Sequence, residues 1–243
     1  MGRNLTVIMP VYNEENTIVE ICQKVLEQDL VGQLIIVDDC STDQTYDKIH
    51  SHLNDSRILI LRHSENLGKG SALKTGAKHI SKKFVIIQDA DLEYDPGQYN
   101  KILEPLLNNQ ADVVFGSRFQ TGETRRVLYF WHFLGNKILT LLSNAATNLN
   151  LSDMETCFKA TRSEIFSKIE LREKRFGVEP EITAKLAAAR LRFCEVSISY
   201  FGRTYEEGKK IGAKDGFRAI YCILKYNSPF QKRKIRLIFN SAS

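Results

Sequence analysis

Thiols are few and scattered in this 243-residue chain: Cys22, Cys40, Cys157, Cys194 and Cys222, an odd set with no Cys-x-x-Cys among them. That spacing argues against both a disulfide framework and a zinc cluster, and it suits a reducing cytoplasm. No uninterrupted apolar run approaches the roughly 20 residues a membrane span needs. The nearest, 127–149, is broken by His132, Asn136, Lys137, Asn144 and Asn148. The first strand-like run is not followed by Gly-x-Gly-x-x-Gly, and Gly-x-x-x-x-Gly-Lys-Ser/Thr is absent; Leu67-Gly68-Lys69-Gly70-Ser71 has the wrong spacing. A dinucleotide dehydrogenase and a P-loop kinase are thereby disfavoured. Internal repeats and low-complexity segments are also missing. The net charge of +5 is too mild to imply nucleic acid as a partner. Met1-Gly2-Arg3-Asn4 leads straight into a strand-like run, so no signal peptide is expected. Gly2 has only Thr6 to support myristoylation, and that reading is set aside.

What is present is an alternation. Apolar, β-prone runs at 5–9, 34–37, 57–61, 83–87 and 112–115 are separated by helical stretches with short connections. The pattern predicts a parallel, doubly wound sheet with right-handed crossovers. The 43% hydrophobic content can supply its core. Asn16 and Asp43 are expected to cap helices, and Pro96 to open one reaching about Asn108. Farther on, the patterning predicts a long helix over 127–149, one from about 178 to Arg190, a strand over 192–200 and a helix over 214–226. Glu179 and Glu181 suit the first turn of their helix, a structural reading as good as a functional one. A disordered, basic terminus is the expectation for 227–243.

In such sheets ligands gather at the carboxyl ends of the strands. Tyr12 to Glu14, Asp38-Asp39, Asp89 to Asp91 and Arg118 all follow strand-like runs, so they share that edge. In Gln88-Asp89-Ala90-Asp91 the two carboxylates stand at i and i+2 and point the same way if the chain stays extended. Hard oxygen ligands of this kind suit Mg²⁺ or Mn²⁺ together with a substrate's phosphates. Taken alone the motif is equally a solvated turn. A ribose hydroxyl can donate to Asp38 or Asp39, and a base can stack on Tyr12.

Four ordered motifs are more specific: Val-Ile-Met-Pro-Val-Tyr-Asn-Glu-Glu at 7–15, Val-Asp-Asp-Cys-Ser-Thr-Asp-Gln-Thr at 37–45, Asn-Leu-Gly-Lys-Gly-Ser-Ala at 66–72 and Gln-Asp-Ala-Asp-Leu-Glu-Tyr-Asp-Pro at 88–96. Together they resemble family-2 inverting glycosyltransferases, and within that family the dolichyl- or polyprenyl-phosphate sugar synthases. The resemblance implies an α/β fold of the glycosyltransferase A type, a mostly parallel central sheet flanked by helices. It implies one domain over 1–226, with a nucleotide-binding half to about 118 and an acceptor half beyond. Pro10, Tyr12, Glu14 and Asp39 would hold the nucleoside; Asp89, Ala90 and Asp91 would meet the nucleotide sugar, with Mg²⁺ or Mn²⁺ on Asp89 and Asp91. Asp91 is the sharper direct ligand, since Asp89 could instead contact ribose or reach the metal through water. Gly116-Ser117-Arg118 would bring Arg118 to the acceptor phosphate. Lys159 would help, in a segment where Asp153 and Phe158 match the family but Thr156, Cys157 and Lys159 replace Ser, Gly and Arg. Arg203 and Lys209, with Lys210 as the rival lysine, would neutralise the departing diphosphate.

The implied reaction is metal-dependent inverting transfer from a nucleoside diphosphate sugar, of GDP-mannose or UDP-glucose type, to a polyprenyl phosphate. The implied catalytic groups are Asp91, Arg118, Arg203 and Lys209. A hydroxyl acceptor is the alternative, with Asp153 or Glu155 as base. A sugar nucleotidyltransferase and a non-catalytic nucleotide-sugar binder rank far behind. Residues 127–149, with Arg125 and Arg126 beside Tyr129, Phe130 and Trp131, suit a peripheral membrane contact. The basic-apolar stretch 231–239 is a second candidate for such contact, and a homodimer or the protein interior could equally cover the long helix. The expected location is cytoplasmic or on the cytoplasmic membrane face.

Overall fold

The computed structural model describes residues 2–127, 129–203 and 213–240. Three central strands, β1 (Leu5–Val11), β2 (Val31–Asp38) and β4 (Phe84–Ile87), are buried along most of their length. Burial on both faces is why their sequences are continuous apolar runs and do not alternate. β3 (Ile58–Arg62), β5 (Val113–Ser117), β6 (Lys159–Arg162) and β7 (Phe193–Ser197) complete a seven-stranded sheet in the order β3-β2-β1-β4-β6-β5-β7. β1 pairs in parallel with β2 and β4, β2 with β3, and β5 with β7. β6 alone runs against its neighbours β4 and β5.

The mostly parallel sheet is as the sequence implies, but β6 is a strand that patterning misses. It has only four residues, two of them charged, and so shows no apolar period. It nevertheless separates β4 from β5 and carries the chain back across the sheet.

Helices cover both faces. α1 (Ile18–Leu26) buries Ile18, Ile21, Cys22 and Val25. α2 (Thr45–His52) and α3 (Lys69–Ala77) follow β2 and β3. Pro96 opens a 3₁₀ turn, Pro96–Gln98, capped by Asp95 accepting from the Gly97 amide at 2.9 Å; α4 (Tyr99–Leu107) begins only after it. α5 spans Phe130–Thr147, shorter at both ends than the 127–149 predicted. After the short α6 (Ser163–Phe166) come α7 (Val178–Ala188) and α8 (Ala213–Tyr226). The predicted disorder of the terminus gives way to a helix, α9 (Pro229–Asn240). Ile235 is buried and Lys232 Nζ donates to the Ala146 carbonyl at 2.6 Å, so apolar and polar contacts both hold it down.

Candidate active site

Register builds one edge. Val11 lies opposite Asp38, and Ile8 opposite Ile87, so Tyr12, Asp39 and Gln88-Asp89-Ala90-Asp91 emerge side by side. Gln88 fixes the turn. It is fully buried, accepts from the Tyr99 hydroxyl at 2.6 Å and donates to the carbonyls of Asp89 (3.1 Å) and Tyr94 (3.3 Å). Ala90 is buried, and its carbonyl accepts from Thr17 Oγ1 at 3.0 Å. Pro10 lies within β1, and Tyr12 is 37% exposed just beyond it.

Four carboxylates crowd this edge: Glu14, Asp89, Asp91 and Glu93. Arg203 answers two of them. Its guanidinium meets Glu14 at 2.6 and 3.2 Å, and its backbone N–H donates to Glu93 at 2.7 Å. The Tyr200 hydroxyl donates to the other Glu93 oxygen at 2.6 Å. Burial, then Asp89 and Glu93, hold the Asp91 carboxyl well above its ordinary value; Arg203 opposes them and Glu14 adds to them. An acid raised by neighbouring acids marks a place short of positive charge. Among the described residues no three acids, histidines or cysteines converge as a complete metal cage. Two carboxylates with a charge deficit fit a divalent ion that takes its other ligands from water and diphosphate oxygens.

Sequence reasoning misses Lys69, the first residue of α3. Its ammonium lies 2.7 Å from Asp89 and 3.0 Å from Glu179. Burial works against its charge, yet Asp89, Cys157 and Glu179 leave its pKa well above the ordinary value. A cation opposes the dipole at a helix N-terminus, and that mismatch is the signal that Lys69 has acidic partners. The two glycines flanking it make the fit. A Cβ on Gly70 would stand 2.0 Å from the Glu173 carbonyl, and Gly68 has φ +92° with the Lys174 carbonyl at 2.5 Å from its would-be Cβ.

Other sequence assignments move. Asp39 is buried, and its carboxylate accepts from the Leu67 and Gly68 amides at 2.9 and 2.6 Å and meets His63 Nδ1 at 2.7 Å. It organises the loop before α3, and His63 is a working part of that brace, with Nε2 2.9 Å from Thr75 Oγ1. Lys159, expected beside the acceptor phosphate, lies in the interior. It is 3% exposed, and its ammonium is enclosed by the Thr156 carbonyl and the Glu179 carboxylate, its pairing partner in the interior. Arg118 is buried and forked onto Asp153 at 2.7 Å through both Nε and Nη2, with its own amide 3.0 Å from the same carboxylate. Asp153 is thereby committed. Glu155 is not: its Oε1 is buried without a hydrogen-bond partner among the described residues, and burial pushes its carboxyl up to about 7. Glu181 is structural, accepting from the Arg172 and Glu173 amides and from Lys185. Lys209 and Lys210 lie outside the described residues.

A mostly parallel sheet with one reversed strand, bearing acids and a bidentate arginine at its carboxyl edge, is the architecture of A-type nucleotide-sugar glycosyltransferases. The chain belongs to glycosyl transferase family 2, whose model matches residues 6–170. It is 26% identical over 234 residues to a dolichol-phosphate mannosyltransferase of Pyrococcus furiosus, covering 94% of this chain but 66% of that relative's length. It is 25% identical over 237 residues to a UDP-N-acetylglucosamine–dolichyl-phosphate N-acetylglucosaminyltransferase of Methanococcus voltae, covering 89% of this chain and 93% of the relative. Among solved structures it is similar to glucosyl-3-phosphoglycerate synthase of Mycobacterium tuberculosis crystallised with Mn²⁺, UDP-glucose and phosphoglyceric acid. There the TM-score is 0.71 at 21% identity, with 93% of this chain and 80% of that one covered. The same enzyme crystallised with Mg²⁺ and UDP gives a TM-score of 0.68.

Proposed function

We propose that the chain transfers a sugar, with inversion, from a nucleoside diphosphate sugar to a polyprenyl phosphate. The observation that carries this is the charge deficit at Glu14, Asp89, Asp91 and Glu93 facing Arg203 on a family-2 fold. The names of two relatives, both acting with dolichyl phosphate, support a lipid phosphate as acceptor.

Asp91 and Asp89 would hold Mg²⁺ or Mn²⁺, which when bound supplies positive charge to the diphosphate. Tyr12 offers its ring to the base, and Pro10 and Glu14 line the nucleoside side. The acceptor oxygen attacks the anomeric carbon from the face opposite the diphosphate, and the bond to the diphosphate breaks with its electron pair. Arg203 and Lys209 compensate the charge that develops there. Arg118 acts by locking Asp153 and so setting the 152–156 segment against β5, which places the acceptor's phosphate beside that segment.

The lipid acceptor implies a membrane surface. No helix among the described residues is long and apolar enough to cross one. α5 exposes Phe130, Trp131 and Leu141, while α9 exposes Phe230 and Leu237 among Lys and Arg. Exposed apolar groups interleaved with basic ones, as on α9, suit adsorption to anionic lipid. A second copy of the chain is the rival cover.

A hydroxyl acceptor is the second reading, and within it Glu155 replaces Asp153 as base, because Asp153 is tied to Arg118. The test incubates purified protein with Mn²⁺ and a panel of nucleotide sugars, with and without polyprenyl phosphate. Acid-labile sugar in the lipid fraction is expected. Release of nucleoside diphosphate only with hydroxyl acceptors refutes the lipid-phosphate reading.

A further inference from the structure

The segment that carries Glu155 is held rigidly from both sides. Ser152 and Asp153 donate their amides to Glu195 at 2.9–3.2 Å, Thr156 Oγ1 donates to the Gly116 carbonyl at 2.5 Å, and the Cys157 amide donates to the Tyr94 hydroxyl at 3.2 Å. The charged groups around Glu155 have partners of their own. Asp153 belongs to Arg118, and Glu179 to Lys69 and Lys159. Glu155 has no ion pair among the described residues, and its Oε1 is buried without a hydrogen-bond partner there. Leaving a buried acceptor without a donor carries its full desolvation penalty. A site tolerates that when the donor arrives with the substrate.

Resting on the lipid-phosphate reading above, we propose that Glu155 takes the second proton of the acceptor's phosphomonoester, so that the attacking oxygen belongs to a dianion. The step balances. The P–O–H bond gives its proton to the Glu155 carboxylate. The oxygen freed of it forms the new bond to the anomeric carbon as the bond to the nucleoside diphosphate breaks and its electron pair leaves with the diphosphate. The product is a diester with no second proton to lose, and Glu155 returns its proton to solvent.

The chemistry of the two groups matches. A phosphomonoester has its second ionisation near about 6. The Glu155 carboxyl sits at about 7, raised by burial, drawn down by Lys159 and Arg118 and pushed up by Glu179 and Asp153. Two acids this close in strength and place share one proton. With that proton on Glu155 the carboxyl donates a hydrogen bond to the phosphate. With the proton lost to solvent, a carboxylate faces a dianion and binding weakens. A hydroxyl acceptor, which does not ionise near neutral pH, brings no second acid to share the proton, so its rate rises as Glu155 ionises and does not fall again.

The experiment is the pH dependence of kcat/KM with a short-chain polyprenyl phosphate, for wild type, Glu155→Gln and Glu155→Asp. Nucleoside diphosphate binding to each is measured by calorimetry. Wild type is expected to give a bell, rising through about 6 and falling through about 7. Glu155→Gln, a permanent neutral donor, is expected to lose the falling limb and keep the rise through about 6, with nucleoside diphosphate binding retained. Glu155→Asp, which still titrates, is expected to keep a bell at reduced rate. A Glu155→Gln profile superimposable on wild type overturns the role of Glu155 alone. No wild-type transfer to lipid phosphate, with transfer to hydroxyls rising through about 7 and no fall, overturns both this inference and the acceptor on which it rests.

Discussion

Arg203 grips Glu14 through both arms of its guanidinium, Nη2 to Oε2 at 2.6 Å and Nη1 to Oε1 at 3.2 Å, tying position 203 to the end of the first strand across 189 residues of chain. Under the proposed reaction the donor diphosphate would compete with Glu14 for the same fork. Arg203→Ala is expected to lower kcat/KM by about 10²–10³-fold. Glu14→Gln on top of it adds little, because the carboxylate's partner is already gone. A double-mutant cycle in kcat/KM measures this, and full additivity refutes the coupling.

Lys69 bridges Asp89 and Glu179. Lys69→Met leaves two carboxylates without their shared cation and is expected to cost about 3 kcal/mol in denaturant unfolding. Adding Asp89→Asn recovers part of that loss, since one uncompensated charge leaves with it while Glu179 keeps its pair with Lys159. A fully stable Lys69→Met protein refutes the bridge.

Glu173 fastens α8 to the loop that covers α3. It accepts from Arg218 at 2.5 and 3.0 Å, from Lys225 at 3.0 Å and from the Tyr226 hydroxyl at 2.7 Å. Burial alone would raise its carboxyl, but the hydrogen bonds from Arg218, Tyr226 and Lys225 reverse that and bring it to about 2. The folded value lies below the unfolded one, near about 4.3. The contribution is therefore complete above the unfolded value and disappears as pH falls through about 2. Glu173→Gln is expected to lose about 2 kcal/mol at neutral pH and to flatten the acid limb of stability against pH.

The same loop tests Gly70. Its would-be Cβ meets a backbone carbonyl at 2.0 Å, which no rotamer change relieves. Gly70→Ala is expected to destabilise by about 1–3 kcal/mol, read as a lowered unfolding midpoint. Alanine at Gly216, where the same Cβ finds nothing within 4 Å, serves as the control and lacks this clash.

Trp131 and Phe130 are 76% and 63% exposed at the start of α5. Changing both to Gln is expected to weaken sedimentation with anionic vesicles by about tenfold or more, and salt should weaken wild-type binding through Arg233 and Arg236. Loss of a homodimer in equilibrium sedimentation, with no vesicle binding by wild type, assigns this surface to a second copy.

The amino-acid sequence by itself determined the parallel strands of the first half of the chain. Continuous apolar runs declare strands buried on both faces, and the polar residues that end them fall on one edge because parallel strands share a direction. That much makes Tyr12, Glu14, Asp89 and Asp91 legible, since local pattern and short crossovers leave little freedom. What only the tertiary structure decided is pairing between residues distant in the chain. Patterning cannot see β6, whose four residues owe their place to neighbours on both sides. Nor can it tell that Lys159 belongs to Glu179, that Arg118 belongs to Asp153, or that Lys69 spans Asp89 and Glu179. A charge in a sequence is a valence with no address. Burial supplies the address, because an ionised group removed from water must find its counter-charge, and the fold alone fixes which one is within reach. By the same rule Glu155, an unremarkable acid in the chain, is left with a buried oxygen that no described residue fills.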